Sequence, residues 1–254
     1  MAVEHNVSVR KSQYELLRII CMAFILIHHI ITGVLPLSNY ALLQNGAEVW
    51  ATRILDAFCF CAVNVFVLIS GYFGIRPSIK GFLKLYILCA FYAFCTASIG
   101  RLIGGGTLGL SIIRYTIFPF GLNPKWWFVE CYIILYLISP LINIGLKNMN
   151  QSQIKWMLII FSIIQVYFGL YRQCDYCDSN GYSVCQFVYM YIIGYYISND
   201  TTKNNSKHIA SISALVYVVG SLFAGVLDCC NFVYWNNPNP FLDIHCYNHP
   251  IIIC

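Results

Sequence analysis

The chain has 254 residues, 59% of them hydrophobic and 10% charged, with a net charge of +5 and a mean hydropathy of +0.68. Soluble domains carry about 25% charged residues, so there are too few here to cover a water-facing surface, and the long apolar blocks point to an all-α, polytopic transmembrane bundle. The cations stand singly between those blocks, which excludes a nucleic-acid-binding patch and fits the flanks of membrane spans.

A spanning helix needs about 20 mostly apolar residues. The predicted spans are residues 14–36, 54–74, 82–103, 126–146, 155–171, 184–198 and 208–227. The polar segments between them, among them LSNYALLQNG, RPSIK and GGGTLG, read as loops. The first block is too long for a cleavable signal peptide, and no small-residue cleavage site follows it. With the N-terminus in the cytoplasm, ten of the 15 Lys and Arg residues fall on inner flanks and five on outer ones, as the positive-inside rule requires. The chain closes on WNNPNPFLDIHCYNHPIIIC, in which IIIC reads as the start of an eighth span cut after one turn. The expectation is one membrane domain over residues 1–254, incomplete at its C-terminus.

The first span carries Arg18 and His29, eleven residues apart. Eleven steps make close to three helical turns, so the two share one stripe about 16 Å apart along the axis. His28 points about 100° away. Snorkelling to the interface is the plain alternative for Arg18, and an interhelical packing bond is the plain alternative for His29. Together on one stripe they favour a buried polar site, because ionisable groups inside a membrane are costly and mark function by default.

Further along, Asp56 reads as a helix-end carboxylate with Arg53, three residues earlier, as its partner. Asn64 falls inside the second span. Ser70 and Gly71, near its inner end, suit either close ligand approach or a small-residue packing seam. Trp126 and Trp127 sit where an aromatic belt is expected, and sugar stacking is the sharper alternative. Glu130 lies one turn into the fourth span. It can either orient a histidine or remain a solvated carboxylate. Most of the thirteen cysteines lie in apolar blocks and act as small hydrophobes. Cys174, Cys177 and Cys185, with Cys229, Cys230 and Cys246, map outside, but a second pair at metal spacing is absent. They read as structural, and no metal is expected.

Three stretches carry a resemblance. YELLRIICMAFILIHH resembles the opening of the membrane acyltransferase-3 family, whose first helix has an Arg, ten residues and a His, as Arg18 and His29 do. AVNVFVLISGYF, residues 62–73, resembles its second-helix motif, with Ser70, Gly71 and Tyr72 as the closing Ser-Gly-aromatic. WWFVECYIILYLISPLIN, residues 126–143, resembles its Trp-to-Pro helix, with Trp127, Tyr136 and Pro140 in register. Many members carry a Glu-Glu pair where this chain has Tyr132 and Ile133; the nearest carboxylate is Glu130. The chain is similar to the branch met among surface-polysaccharide enzymes, and members are typically longer.

The resemblance implies an integral O-acyltransferase of the cytoplasmic (inner) membrane, its N-terminus cytoplasmic. It would move an acetyl group from acetyl-CoA to a hydroxyl of a surface polysaccharide or lipid-linked sugar. His29 is then the base or a transient acyl carrier, and Arg18 binds a phosphate of coenzyme A. His28, Asn64, Ser70, Gly71, Tyr72, Trp127 and Glu130 are the supporting candidates. The implied partners are the bilayer, acyl-CoA and a glycan acceptor. Two other readings stand beside it. One is a transporter or flippase of a lipid-linked glycan, against which no inverted repeat is visible. The other is an inactive truncated remnant.

Overall fold

The computed structural model of the protein describes residues 12–34, 46–105, 109–117, 127–167, 183–199 and 218–226. They are almost wholly helical, and no strand occurs among them. In chain order the helices are α1 (Ser12–Val34), α2 (Gly46–Phe60), α3 (Ala62–Phe73), α4 (Ile79–Ile103), α5 (Leu110–Ile117), α6 (Trp127–Lys147), α7 (Gln151–Gln165) and α8 (Val184–Asn199). Residues 218–226 are helical too. Among the described residues, four segments are long and apolar enough to cross a membrane: Ser12–Thr32, Trp50–Phe73, Ile79–Ile103 and Trp127–Lys147. Helices satisfy their backbone groups internally, as lipid demands. The fold is therefore the expected all-helical membrane bundle.

The elements differ from the hydropathy reading in three places. The second span joins α2 and α3 across a break at Cys61; the Val65 N–H donates to the Cys61 carbonyl at 3.0 Å, so the hydrogen-bond ladder resumes at once. Helix α2 starts at Gly46, eight residues before the predicted span, because Glu48 and Arg53 lower local hydropathy without disfavouring helix. Residues 110–117, outside the predicted spans, form α5, which packs on α4 and whose Ile117 carbonyl accepts from the Tyr86 hydroxyl. The fifth and sixth predicted spans appear as α7 and α8, of 15 and 16 residues. The seventh is represented by residues 218–226. The start of an eighth lies outside the described residues.

The described residues cluster into two compact units, one from Met1–Ile69 with Thr201–Cys254 and one from Ser70–Asp200. In the first, α1 packs along α2, burying Cys21, Ile31 and Cys59. Gly225 also meets α2: a Cβ there would stand 2.9 Å from the Ile54 Cα.

In the second unit, α8 packs against α6 and α7 around Leu146, Ile154 and Ile192. A capping box starts α7: the Asn150 side chain accepts from the Gln153 N–H, and the Gln153 side chain accepts from the Asn150 N–H, both at 2.8 Å. Two orphan donors of the helix end are thereby satisfied. Pro140 lies inside α6 and has no N–H for the Tyr136 carbonyl four residues back. The Ser139 hydroxyl donates to that carbonyl instead, at 2.8 Å, and Ser139 is fully buried.

Candidate functional site

The site begins with two adjacent histidines on α1. Adjacent residues on a helix diverge by about 100°, so the two rings have different surroundings. His28 is turned to α2, where its Nδ1 lies 2.7 Å from Asp56 Oδ1. An ionised carboxylate only accepts, so the neutral tautomer that suits this contact carries its proton on Nδ1 and its lone pair on Nε2. The two side chains retain 21% and 15% of their exposure, enough for a small group to reach the imidazole. Phe60, a turn beyond Asp56 on the same helix, meets the His28 ring edge-on at 5.1 Å. On α1 itself, the Thr32 hydroxyl donates to the His28 carbonyl at 2.9 Å. His29 is exposed, its ring centroid 5.6 Å from that of His28.

Arg18 stands ten residues before His28, about 15 Å along the axis. Its guanidinium pairs with Glu15 at 3.0 Å, with both side chains a third or more exposed. Such an exposed pair is worth at most about 1 kcal/mol. Helix α1 thus carries an accessible cation at its start and a carboxylate-held imidazole in its last third.

Comparison with protein families matches residues 12–248 to the family described as the acyltransferase domain, of the acyltransferase-3 type. The chain belongs to that acyltransferase family. Comparisons with curated proteins and with solved structures returned no match.

Within this acyltransferase the other sequence-derived candidates fall in separate places. Asn64 is half-buried on α3, eight residues past Asp56. Trp127 and Glu130 are half-buried in the first turn of α6. The Trp127 ring lies 6.1 Å edge-on from Phe187, which is fully buried on α8. Ser70 and Tyr72 are half-buried, while Gly71 is buried between two helices. A Cβ on Gly71 would stand 2.1 Å from the Tyr191 carbonyl oxygen, so only glycine lets α3 come this near α8. Gly71 is therefore a point of close helix approach. The cysteines of the CxxC, Cys174 and Cys177, lie outside the described residues, as do Cys229, Cys230 and Cys246.

Asp56 is the residue that sequence reasoning placed in another role. With α2 starting at Gly46, it lies well inside a helix rather than at its end. The signal was present: an Asp inside an apolar block defaults to a functional site with a partner. The partner was obscured because spacing on α1 selects a stripe and says nothing about the neighbouring helix.

Proposed function

We propose that this acyltransferase moves an acetyl group from acetyl-CoA to a hydroxyl of a surface polysaccharide or its lipid-linked precursor, with His28, held by Asp56, as general base. The observation that carries this reading is the 2.7 Å contact between His28 Nδ1 and Asp56 Oδ1. A carboxylate at Nδ1 fixes the tautomer and stabilises the imidazolium that forms during proton transfer.

The chemistry balances on these groups. His28 Nε2 takes the proton of the sugar hydroxyl. The oxygen attacks the thioester carbonyl and forms the ester C–O bond. The C–S bond breaks, and the thiolate leaves with the proton returned by His28. Arg18 binds a phosphate of coenzyme A at the start of α1, exchanging Glu15 for a doubly charged, fork-shaped acceptor. The pantetheine arm then covers the roughly 15 Å from Arg18 to His28. The distribution of Lys and Arg supports a cytoplasmic position for Arg18 at the membrane face, the side on which acetyl-CoA is made.

His29 supports a second assignment. It has the arginine-to-histidine spacing of the family motif, and its exposed ring adjoins His28. In that assignment His29 meets the hydroxyl, directly or as an acyl carrier, and the His28–Asp56 pair lies behind it.

The test uses membranes containing the native chain, His28→Ala, His29→Ala and Asp56→Asn at equal levels, supplied with radiolabelled acetyl-CoA. Label reaching the host glycan with native chain and His29→Ala, but not with His28→Ala, supports His28 as base. The reverse pattern assigns the role to His29. No transfer by the inserted, folded native chain defeats the acyltransfer reading and favours a glycan transporter.

A further inference from the structure

Two polar features of the second unit, Ser70–Asp200, stand in contrast. The first is a ring of neutral groups that closes on itself. The Ile75 N–H, just past α3, donates to Tyr191 Oη at 2.9 Å. The Tyr191 hydroxyl donates onward to Asn143 Oδ1 at 2.7 Å, and Asn143 Nδ2 donates back to the Ile75 carbonyl at 2.9 Å. The second feature is a cation, Arg114 on α5.

Helix α4 ends at Gly104, whose N–H still donates to the Gly100 carbonyl at 3.1 Å. Gly105 then takes a φ of +70°, which ends the helix as left-handed glycines do. The returning α5 packs along α4 with Ile112 buried, and the Ile117 carbonyl at its end accepts from the Tyr86 hydroxyl. On α4, Tyr86 lies about 26 Å from Ile103 and about 10 Å from Ile79. Arg114, three residues before Ile117, is about 4.5 Å nearer the Ile103 end. It therefore stands close to the middle of Ile79–Ile103, a segment long and apolar enough to cross a membrane.

Arg114 is exposed and makes no ion pair with any described residue. The neighbouring Thr116 hydroxyl, by contrast, is satisfied by the Ile112 carbonyl at 2.8 Å. A guanidinium keeps its charge in proteins, and a charge at mid-span is costly unless it is paired or wetted. The surroundings of Arg114 separate those two cases. Leu110, Ile113 and Ile117 are also exposed, and with Arg114 they form one stripe at i, i+3, i+4 and i+7. A water-filled cleft or a free anion gains nothing from three bare aliphatic side chains around the cation. A phosphate that carries a hydrocarbon chain matches both parts of the stripe. Phospholipids of the surrounding bilayer keep their phosphates at the edges of a hydrocarbon core about 30 Å thick, away from the level of Arg114. The ligand that fits is a lipid phosphate drawn in by the protein.

We propose that α5 binds the phosphate of a lipid-linked sugar, with Arg114 on the phosphate and Leu110, Ile113 and Ile117 along the lipid chain. This rests on the acyl-transfer reading for the sugar and deepens it, choosing the lipid-linked precursor over the finished polysaccharide. Arg114 is the binding residue, its planar fork suited to two phosphate oxygens.

The test measures binding of a polyprenyl monophosphate to the full chain in phosphatidylcholine nanodiscs, without acetyl-CoA, by native mass spectrometry. The native chain is compared with Arg114→Gln, Arg114→Lys and Lys155→Gln, the last removing an exposed cation elsewhere in the same unit. Loss of a charge-assisted bond weakens binding about tenfold or more, so Arg114→Gln is expected to show that loss. Arg114→Lys is expected to recover part of it, and Lys155→Gln to bind as the native chain does. If Arg114→Gln fails to insert, Arg114→Lys decides, with native affinity in it overturning the proposal. Native affinity in Arg114→Gln, an equal loss in Lys155→Gln, or a native chain that binds no polyprenyl phosphate each overturns it. Displacement of the probe by equimolar phosphatidylglycerol overturns it in favour of ordinary bilayer phosphate, and displacement by inorganic phosphate in favour of a free anion. A chain that shows the expected binding pattern but transfers no acetyl group upholds the site and overturns only the acyl-transfer reading.

Discussion

Replacing Gly71 by alanine tests the packing that orders the second unit. The new Cβ would stand 2.1 Å from the Tyr191 carbonyl oxygen and 2.8 Å from two further backbone atoms of Tyr191. Ordinary contact begins at 3.4 Å, so α3 and α8 must separate by about 1.3 Å, because backbone atoms of two helices have no rotamer to retreat into. The same displacement would take the 2.9 Å bond from Ile75 to Tyr191 beyond hydrogen-bonding reach and open the ring through Asn143. Three bonds at about 1 kcal/mol each give an expected loss of about 3 kcal/mol, before any strain. Thermal or denaturant unfolding of the reconstituted chain measures it. Tyr191→Phe, which removes the hydroxyl but not the close approach, isolates about 1–2 kcal/mol of the total. A Gly71→Ala chain within about 0.5 kcal/mol of native, the range of ordinary surface changes, would refute the close approach and with it the account of the Ser-Gly-aromatic motif.

Asp56→Asn is expected to lower acetyl transfer by about 10²–10⁴-fold at unchanged insertion, because an amide no longer fixes the His28 tautomer or stabilises its cation; labelled transfer at saturating donor reads this out. Ser139→Ala is expected to cost about 1–3 kcal/mol by leaving the part-buried Tyr136 carbonyl without its donor. Pro140→Ala, which restores a backbone donor, should remove most of that cost in the double variant, and unfolding of all three closes the cycle. Asn150→Ala removes the α7 cap and is expected to destabilise by about 1 kcal/mol, visible as faster proteolysis near the start of α7.

The bundle was legible because lipid imposes one strong rule. A block of about 20 apolar residues is a helix wherever it occurs, and α1, α4 and α6 follow that rule to within a few residues. Where hydropathy carries no signal the reading lost contact. Helix α5 has only eight residues and carries Arg114, and the start of α2 bears Glu48 and Arg53; both are helical by backbone preference and packing, neither by lipid exposure. At the site, local spacing selected one stripe of α1 and could not say which histidine faces a carboxylate. Asp56 lies 28 residues from His28, and Tyr191 lies 116 from Ile75. Contacts at such separations leave no periodic trace in either segment. The family motifs indicated that Ser70, Gly71 and Tyr72 matter, and only the packing shows that Gly71 acts through its missing side chain.

The pairing of His28 with Asp56 also bears on how the chain enters the bilayer. Each group alone is costly in hydrocarbon, the aspartate more so; Asp56, six residues into Trp50–Phe73, stays below the about 2.5–3.5 kcal/mol of a helix centre on insertion scales. The asparagine and tyrosines of the second unit are uncharged, so their helices can partition singly and find partners afterwards. The first two spans gain by entering as a hairpin: the carboxylate arriving with the second finds the imidazole already in place on the first, and neither has to wait in lipid for a later segment. Biogenesis would then be committed within the first quarter or so of synthesis, and a substitution of Asp56 or His28 would be felt as a change in insertion yield as well as in chemistry.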